Sequence, residues 1–472
     1  MNENRTELRQ KIDMWFDKHS DKMIEDLGRL IEIKSIKGEA RAGAPYGLAS
    51  RETLTVAGSM LKERGFQVRN FEDMMITTQL GPNPPLVGIL AHLDIVEAGE
   101  GWDTDPFKMT IIDGNIYGRG VIDNKGPAIA SMYAMYCARD ICPELSQGVE
   151  LILGSGEETG FEDVTEYLRK NTPPPNVFSP DAGFPVVNVE KGRFAPFFGA
   201  SWKRDTSLPR IISITGGKTL NIVPDRAEAI VEGIAPGEAE AFCSEYSKKT
   251  GAVISAARDG GKLKITAEGK ATHASTPQNG LNAQTALIEM LASMPFAESK
   301  GFGYIKALGR LFPHGDYNGN AIGIKLSDEI SGELTVNFGV LRFSELEFAA
   351  NFDSRTPSCA DSVDITGITK ESMAREGIKI TSSTISRCHL TPEERPFVQT
   401  LLKIYEEYTG NKGECLITGG QTYVHDIPGG VVFGCAMPGI DYKAHGANEF
   451  MDAELLINSA KMFTQTIIDM CG

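Results

Sequence analysis

Leu86-Val87-Gly88-Ile89-Leu90-Ala91-His92-Leu93-Asp94 is the stretch from which this chain is best read. An apolar run of six residues that ends abruptly at a histidine predicts a short strand covered on both faces. Residues 148–153, Gly-Val-Glu-Leu-Ile-Leu, repeat the pattern and stop just before Glu157. Between them, residues 127–139 form an apolar helix rich in Ala and Met. Strand, helix and strand in that order predict a parallel sheet with helices on both faces. In such sheets ligands bind beyond the carboxyl ends of the strands, which puts His92, Asp94 and Glu157 at that edge.

Outward from this unit, Leu8, Ile12, Trp15, Phe16, Met23, Leu27 and Leu30 give residues 6–35 the spacing of an amphipathic helix. Residues 49–64 read as another helix, ended by Gly65, and 67–71 and 75–79 as short strands. A second region opens after Gly183. There 211–214, 227–231, 262–267, 334–340, 347–352 and 378–382 read as strands, and 238–250, 282–294 and 361–376 as helices. From Pro392 a long helix returns, followed by a loop at Gly419-Gly420, a strand at 431–433, and His445. The expected architecture is α/β. A catalytic domain with a mixed, mainly parallel sheet occupies 1–185 and 386–472, interrupted by an inserted α+β lid domain at 186–385.

Bulk properties narrow the classes. A chain of 472 residues exceeds one ordinary core. Its formal net charge of −16 speaks against nucleic acid and anionic membranes as partners. The eight cysteines are scattered with no C-x-x-C pair, as expected of free thiols in a reducing compartment. The polar start Met1-Asn2-Glu3-Asn4-Arg5 lacks a secretory apolar segment, and no run approaches a membrane span, so a cytoplasmic location is expected.

Five acid and histidine clusters carry the chemistry: His92-Leu93-Asp94, Asp123-Asn124-Lys125-Gly126, Gly156-Glu157-Glu158-Thr159-Gly160, Ser179-Pro180-Asp181-Ala182 and Ala444-His445-Gly446. Imidazole and carboxylate donors without cysteine are what a catalytic two-metal site needs. Each cluster alone also has an ordinary explanation. His92 suits a strand end, Asp123 a helix N-cap, Glu157-Glu158 a solvated acidic turn, and Asp181 and His445 plain turns.

Their order and spacing together resemble the M20 metallopeptidases: H-x-D, then Gly118-Arg119-Gly120 leading to Asp123-x-Lys125-Gly126, then G-E-E-x-G, an aspartate and a late His-Gly. Trp102-Asp103-Thr104-Asp105-Pro106-Phe107 strengthens the likeness, which covers nearly the whole chain. Its length and large insert look most like the PepV-like and Sapep-like dipeptidases. The resemblance implies a bridging Asp123, one metal site completed by His92 and Asp181, and another by Glu158 and His445. It implies Glu157 as general base and then acid, Asp94 as the group orienting His92, and a cis peptide at Asp123-Asn124. In the insert and beyond, Asn221 resembles a substrate-contacting asparagine and His273 the histidine that stabilises the oxyanion. Arg355 resembles the clamp for a substrate carboxylate, and Gly419-Gly420-Gln421-Thr422-Tyr423 the substrate loop. One position departs: the family loop carries an arginine two residues after the tyrosine, where this chain has His425, so a pH-sensitive cation replaces a permanent one.

These readings predict a metal-dependent dipeptidase acting on short peptides as a monomer or homodimer. The cofactor is two divalent ions, with zinc the first choice and manganese or cobalt the alternatives. The runner-up is a deacylase or desuccinylase of N-acyl amino acids. A binding protein that has lost catalysis fits less well, because the ligand set and Glu157 are all present.

Overall fold

The computed structural model describes residues 3–472. Its contacts divide into two compact units, Met1–Val189 with Leu390–Gly472, and Glu190–His389. Among the described residues no helix is long and apolar enough to cross a membrane.

In the first unit the helices Glu3–Ile31 and Leu48–Glu63 precede the strands Val68–Phe71, Met75–Leu80 and Pro85–His92. The apolar run does form a strand, whose last six residues are fully buried. The helix Lys125–Ile141 then leads to the strand Gly148–Gly154, which lies parallel to Pro85–His92 with His92 opposite Gly154. The strand Asn176–Ser179 pairs parallel on the other side of Pro85–His92, and Val431–Val432 pairs parallel with it in turn. Val68–Phe71, Met75–Leu80 and Val186–Glu190 flank this parallel centre in antiparallel fashion.

Alternate residues of the central strands feed opposite layers, as the period of two requires. Val87, Ile89, Ala91, Val149, Leu151 and Leu153 enter a core with the helices Glu3–Ile31, Lys125–Ile141, Pro396–Thr409 and Ala453–Cys471. Leu90, Ile152 and Val177 enter a second core with Val164 and Tyr167 of the helix Glu162–Lys170, and with Tyr423 and Val424. Both faces are therefore covered, which is why the strands read as continuous apolar runs rather than alternating ones.

The second unit is an antiparallel sheet. Its strands run in space as Val253–Asp259, Lys262–Glu268, Arg226–Glu232, Arg210–Gly216, Thr335–Phe343, Glu347–Thr356, Gly192–Ser201 and Lys379–Ser386. Ala227, Ala229 and Val231 are buried while Arg226, Glu228 and Ile230 are not, the signature of a sheet with one packed face. That face packs with the helices Pro236–Thr250, Ala283–Ser293, Lys300–Leu311 and Ile365–Arg375. The α+β expectation for this region matches these elements.

Several elements lay outside the sequence expectations, among them Glu162–Lys170, Val253–Asp259 and Ala453–Cys471, and for two more the reason is visible. Gly192–Ser201 contains Pro196, which has no amide to give a ladder. Its pairing with Glu347–Thr356 runs to Phe194↔Ser354 and resumes at Phe197↔Asn351, so Pro196 falls in the gap. Lys300–Leu311 carries three glycines, poor helix formers. At Gly301 the missing side chain leaves room for the Trp202 indole, 3.1 Å from where a Cβ would stand.

Candidate metal centre and active site

The parallel strands of the first unit end together, and the acid and histidine clusters follow those ends. His92 closes the strand Pro85–His92, and Glu157 and Glu158 occupy a single 3-10 turn just past Gly148–Gly154. Asp181 lies two residues past Asn176–Ser179, and Asp123 two residues before the helix Lys125–Ile141. His445 comes from a distant loop, in a left-handed conformation with φ 61°. The short strand Phe450–Asp452 anchors that loop by pairing with Asn115–Tyr117.

The structure gathers all five candidate ligands. His92 Nε2 lies 3.0 Å from Asp123 Oδ1 and 3.3 Å from Asp181 Oδ1. His445 Nε2 lies 3.0 Å from Asp123 Oδ2 and 3.1 Å from Glu158 Oε1. Asp123 thus turns one oxygen to each histidine. It is not the helix cap: Asn124 takes that position, without a side-chain capping bond. The Asp123-Asn124 peptide is cis. Among the described residues, three groups have ligand atoms within 4.8 Å of one another: His92 with Asp123 and Asp181, Asp123 with Glu158 and His445, and His92 with Glu157 and Glu158. Nitrogen and carboxylate donors without a thiolate suit divalent ions such as zinc, manganese or cobalt.

The tautomer of His92 follows from its surroundings. Nδ1 is 3.0 Å from the Asp94 carbonyl oxygen, which only accepts, so Nδ1 donates there, while a proton on Nε2 is shared with Asp123 and Asp181; loss of that proton turns the Nε2 lone pair toward the same two carboxylates. The Asp94 carboxylate is 3.4 Å from the same Nδ1 but also accepts from the amides of Glu158 at 3.0 Å and Glu157 at 3.3 Å. Asp94 therefore holds both the imidazole and the acidic turn.

The electrostatics are those of crowded acids. Burial first, then the charge of Asp181, lifts Glu157 well above the ordinary carboxylate range. Burial lifts Asp181 to about 6 and raises Glu158. Burial would raise Asp123 too, but hydrogen bonds from His445 and His92 prevail and hold it low. Burial opposes charge on His92, yet Asp181, Asp123 and Asp94 raise it well above the usual histidine value. Hydrogen bonds to Asp123 and Glu158 push His445 up to about 10.

Several supporting groups escaped the sequence reading. Asn124 donates to the Asp181 carboxylate and the Pro180 carbonyl, both at 2.8 Å, and accepts from the His92 amide at 3.3 Å. Glu449, fully buried, accepts from the amides of Gly120 and Ile122 at 3.0 Å and of Asp123 at 3.3 Å. Its other oxygen pairs with Arg119 at 2.5 Å, and Arg119 also donates to the Gly446 carbonyl at 3.0 Å. Lys125 Nζ donates to the carbonyls of Leu30 and Ile33 at 2.8 and 2.6 Å, capping the first helix. Asn124 and Glu449 sit inside or beside the quoted motifs, but the amides they serve are not visible in sequence.

The remaining candidates are described within their own units. In the second unit, Ile222 and His273 form an isolated β-bridge and the Ala274 amide donates to the Asn221 carbonyl, so Asn221 and His273 lie on adjoining loop segments. His273 Nδ1 accepts the Ser275 amide at 3.2 Å, which leaves the proton of the neutral ring on Nε2. Arg355 is buried, with Nε 2.7 Å from Asp353 Oδ1 and Nη2 3.3 Å from Oδ2. In the first unit, Gly420 donates its amide to Thr418 Oγ1 at 3.0 Å, and Gln421 Nε2 lies 3.2 Å from His425 Nε2.

A sequence model of peptidase family M20/M25/M40 matches residues 88–469. The chain is 32% identical over 453 residues to "Putative dipeptidase YtjP" of Bacillus subtilis, covering 95% of this chain and 97% of that one. It is 29% identical over 471 residues to a Staphylococcus epidermidis protein with the same dipeptidase description, covering 97% and 99%. Human carnosine dipeptidase 1 shares the fold with a TM-score of 0.58 at 15% identity over 98% of both chains. Dug1p, a dipeptidase of Saccharomyces cerevisiae, does so with 0.57 at 14% over 99% of both.

Proposed function

This chain belongs to peptidase family M20/M25/M40, and on that premise we propose that it is a metal-dependent dipeptidase with a two-ion centre. The observation that carries the reading is the splay of Asp123, with Oδ1 turned to His92 and Oδ2 to His445. A carboxylate so divided suits a bridge between two ions. His92 and Asp181 would complete one site, Glu158 and His445 the other, with zinc the first choice and manganese or cobalt the alternatives. Bound there, the ions would supply Lewis acidity toward the scissile carbonyl and lower the pKa of the attacking water toward neutrality.

The protein's own residues carry the proton and hold the geometry. Glu157 takes a proton from the attacking water and returns it to the leaving amine nitrogen. A carboxylate whose proton affinity is raised by burial and by Asp181 suits a group that serves as base and then as acid in one cycle. Asp94 fixes the turn beneath it through the amides of Glu157 and Glu158. In the second unit, His273 would donate from Nε2 to the oxyanion, beside Asn221 as a substrate contact, in keeping with the tautomer that Ser275 imposes. Arg355 would clamp the substrate carboxylate with a guanidinium whose rotamer Asp353 sets, and Gly420 and His425 would line the loop against the peptide.

The test is hydrolysis of free dipeptides and of N-acyl amino acids by chelator-stripped protein, with zinc, manganese or cobalt restored, for wild type and Glu157→Ala. We expect metal-restored dipeptide turnover that falls by about 10²–10⁴-fold in Glu157→Ala while the ions still bind. Turnover of N-acyl amino acids alone would replace the dipeptidase by a deacylase, and no turnover with any ion would sink both.

A further inference from the structure

The turn that carries Glu157 is held from two sides, and only one of them belongs to the ligand cluster. Four consecutive amides, those of Ser155, Gly156, Glu157 and Glu158, donate to two carboxylates. Asp94 takes the last two. Asp163 takes the first two, each at 2.9 Å on Oδ2. The same Oδ2 accepts the Tyr423 hydroxyl at 2.5 Å. Asp163 and Tyr423 are 0% and 1% exposed, so the buried Tyr423 hydroxyl depends on Asp163 as its acceptor, while Asp163 also keeps the two amides.

Tyr423 follows the Gly419-Gly420 pair and opens the 3-10 turn Tyr423–Asp426 that carries His425. Its hydroxyl also lies 3.3 Å from the Gly156 amide, and its ring stands edge-on to His92, 6.2 Å between centroids. The packing leaves no slack. A Cβ on Gly154 would overlap the Tyr423 hydroxyl and Asp163, and one on Gly156 would come within 2.9 Å of the Tyr46 ring. The glycine-rich loop and the acidic turn are thus tied by one short hydrogen bond over 260 residues of separation.

We propose that Tyr423 and Asp163 form a positioning pair that registers the glycine-rich loop against the acidic turn and so sets Glu157 for proton transfer. The inference rests on the dipeptidase reading, in which Glu157 moves the proton. Neither residue touches the reacting atoms. Their effect is on where the Glu157 carboxylate sits, so it falls on turnover rather than on ion binding.

The experiment uses the metal-loaded full chain with Tyr423→Phe, Asp163→Asn and the double variant. It reads kcat and KM on one dipeptide, ion affinity by calorimetry, and the thermal midpoint. Tyr423→Phe should lower kcat by about 10- to 100-fold, with KM and ion affinity within about threefold of wild type. The double variant should lose no more than the worse single, because the two act as a unit. A Tyr423→Phe kcat within about twofold of wild type would overturn the pair, as would losses that multiply in the double variant or that track lost ions. Wild type inactive on dipeptides would overturn the dipeptidase reading and this inference with it, whereas an active wild type with unaffected variants overturns the inference alone.

Discussion

Asn124 shows how one neutral side chain places two charged ones. Its amide nitrogen holds the Asp181 carboxylate, and its amide oxygen receives the backbone of His92, so two ligands of one proposed site share one support. Partners of this kind typically cost about 10–100-fold in metal affinity when lost. Asn124→Ala should weaken the tighter of the two ion-binding steps by that factor in a calorimetric titration, with far-ultraviolet circular dichroism unchanged. Wild-type affinity in the variant would show that Asp181 and His92 are placed without it. At this scale the clustering of the candidate ligands was legible because His92, Glu158 and Asp181 follow strand ends and Asp123 precedes a helix, whereas His445 comes from a loop and was marked only by its place in the motif order. The supports were not. Asn124, Glu449 and Asp163 act on backbone amides, which every residue has, so no residue pattern marks which amide a carboxylate will meet.

At the scale of elements, the pair Arg119–Glu449 joins the loop before the helix Lys125–Ile141 to the loop before the strand Phe450–Asp452. Glu449 receives the amides that lead into Asp123, and Arg119 holds the carbonyl next to His445. Two loops 330 residues apart in sequence are thereby set at one spacing, which is the spacing Asp123 needs to meet both histidines. Both side chains are buried, so removing one leaves the other's charge without its counter-charge. Arg119→Met should lower stability by about 3–5 kcal/mol in urea unfolding, and Arg119→Met with Glu449→Leu should recover part of that loss. A single variant as stable as wild type would show that water replaces the arginine at no cost. The elements themselves were mostly legible, since covered strands read as apolar runs and the helices as 3.6-residue stripes. Several were not, among them Glu162–Lys170, Val253–Asp259 and Ala453–Cys471; two more, Gly192–Ser201 and Lys300–Leu311, carry Pro196 and Gly301, tolerated because of a ladder gap and a neighbouring indole that only tertiary structure supplies.

Over the whole molecule, the concentrated acids make folding, protons and metal ions compete. Unfolded, a carboxyl like Asp181 titrates near 3.8 and a histidine like His445 near 6.5; folded, burial raises the first to about 6, and hydrogen bonds to Asp123 and Glu158 raise the second to about 10. Burial lifts Asp163 to about 6 and Glu449 to about 7 in the same direction. Between the unfolded and folded values the native chain binds more protons than the unfolded one, so its stability falls as pH rises through that window, from about 4 to about 10. Two groups have the opposite sign: Asp123, held low, whose contribution is complete above its unfolded value of 3.8 and constant across this range, and Lys125, which burial lowers to about 7 and which offsets part of the His445 effect above that pH. A net charge of −16 adds general repulsion in the same sense. Divalent ions would take the places those protons hold on Asp181, Glu158 and His445, so binding must release protons and strengthen with pH. The chelated protein should therefore unfold at a lower temperature at about pH 8.5 than at about pH 5.5, while added zinc or manganese raises the midpoint more at the higher pH. Titrations in buffers of different ionisation enthalpy should report protons released on binding. An ion-induced rise in midpoint that is the same at both pH values, with no proton release, would mean that the ions bind somewhere other than at these five side chains.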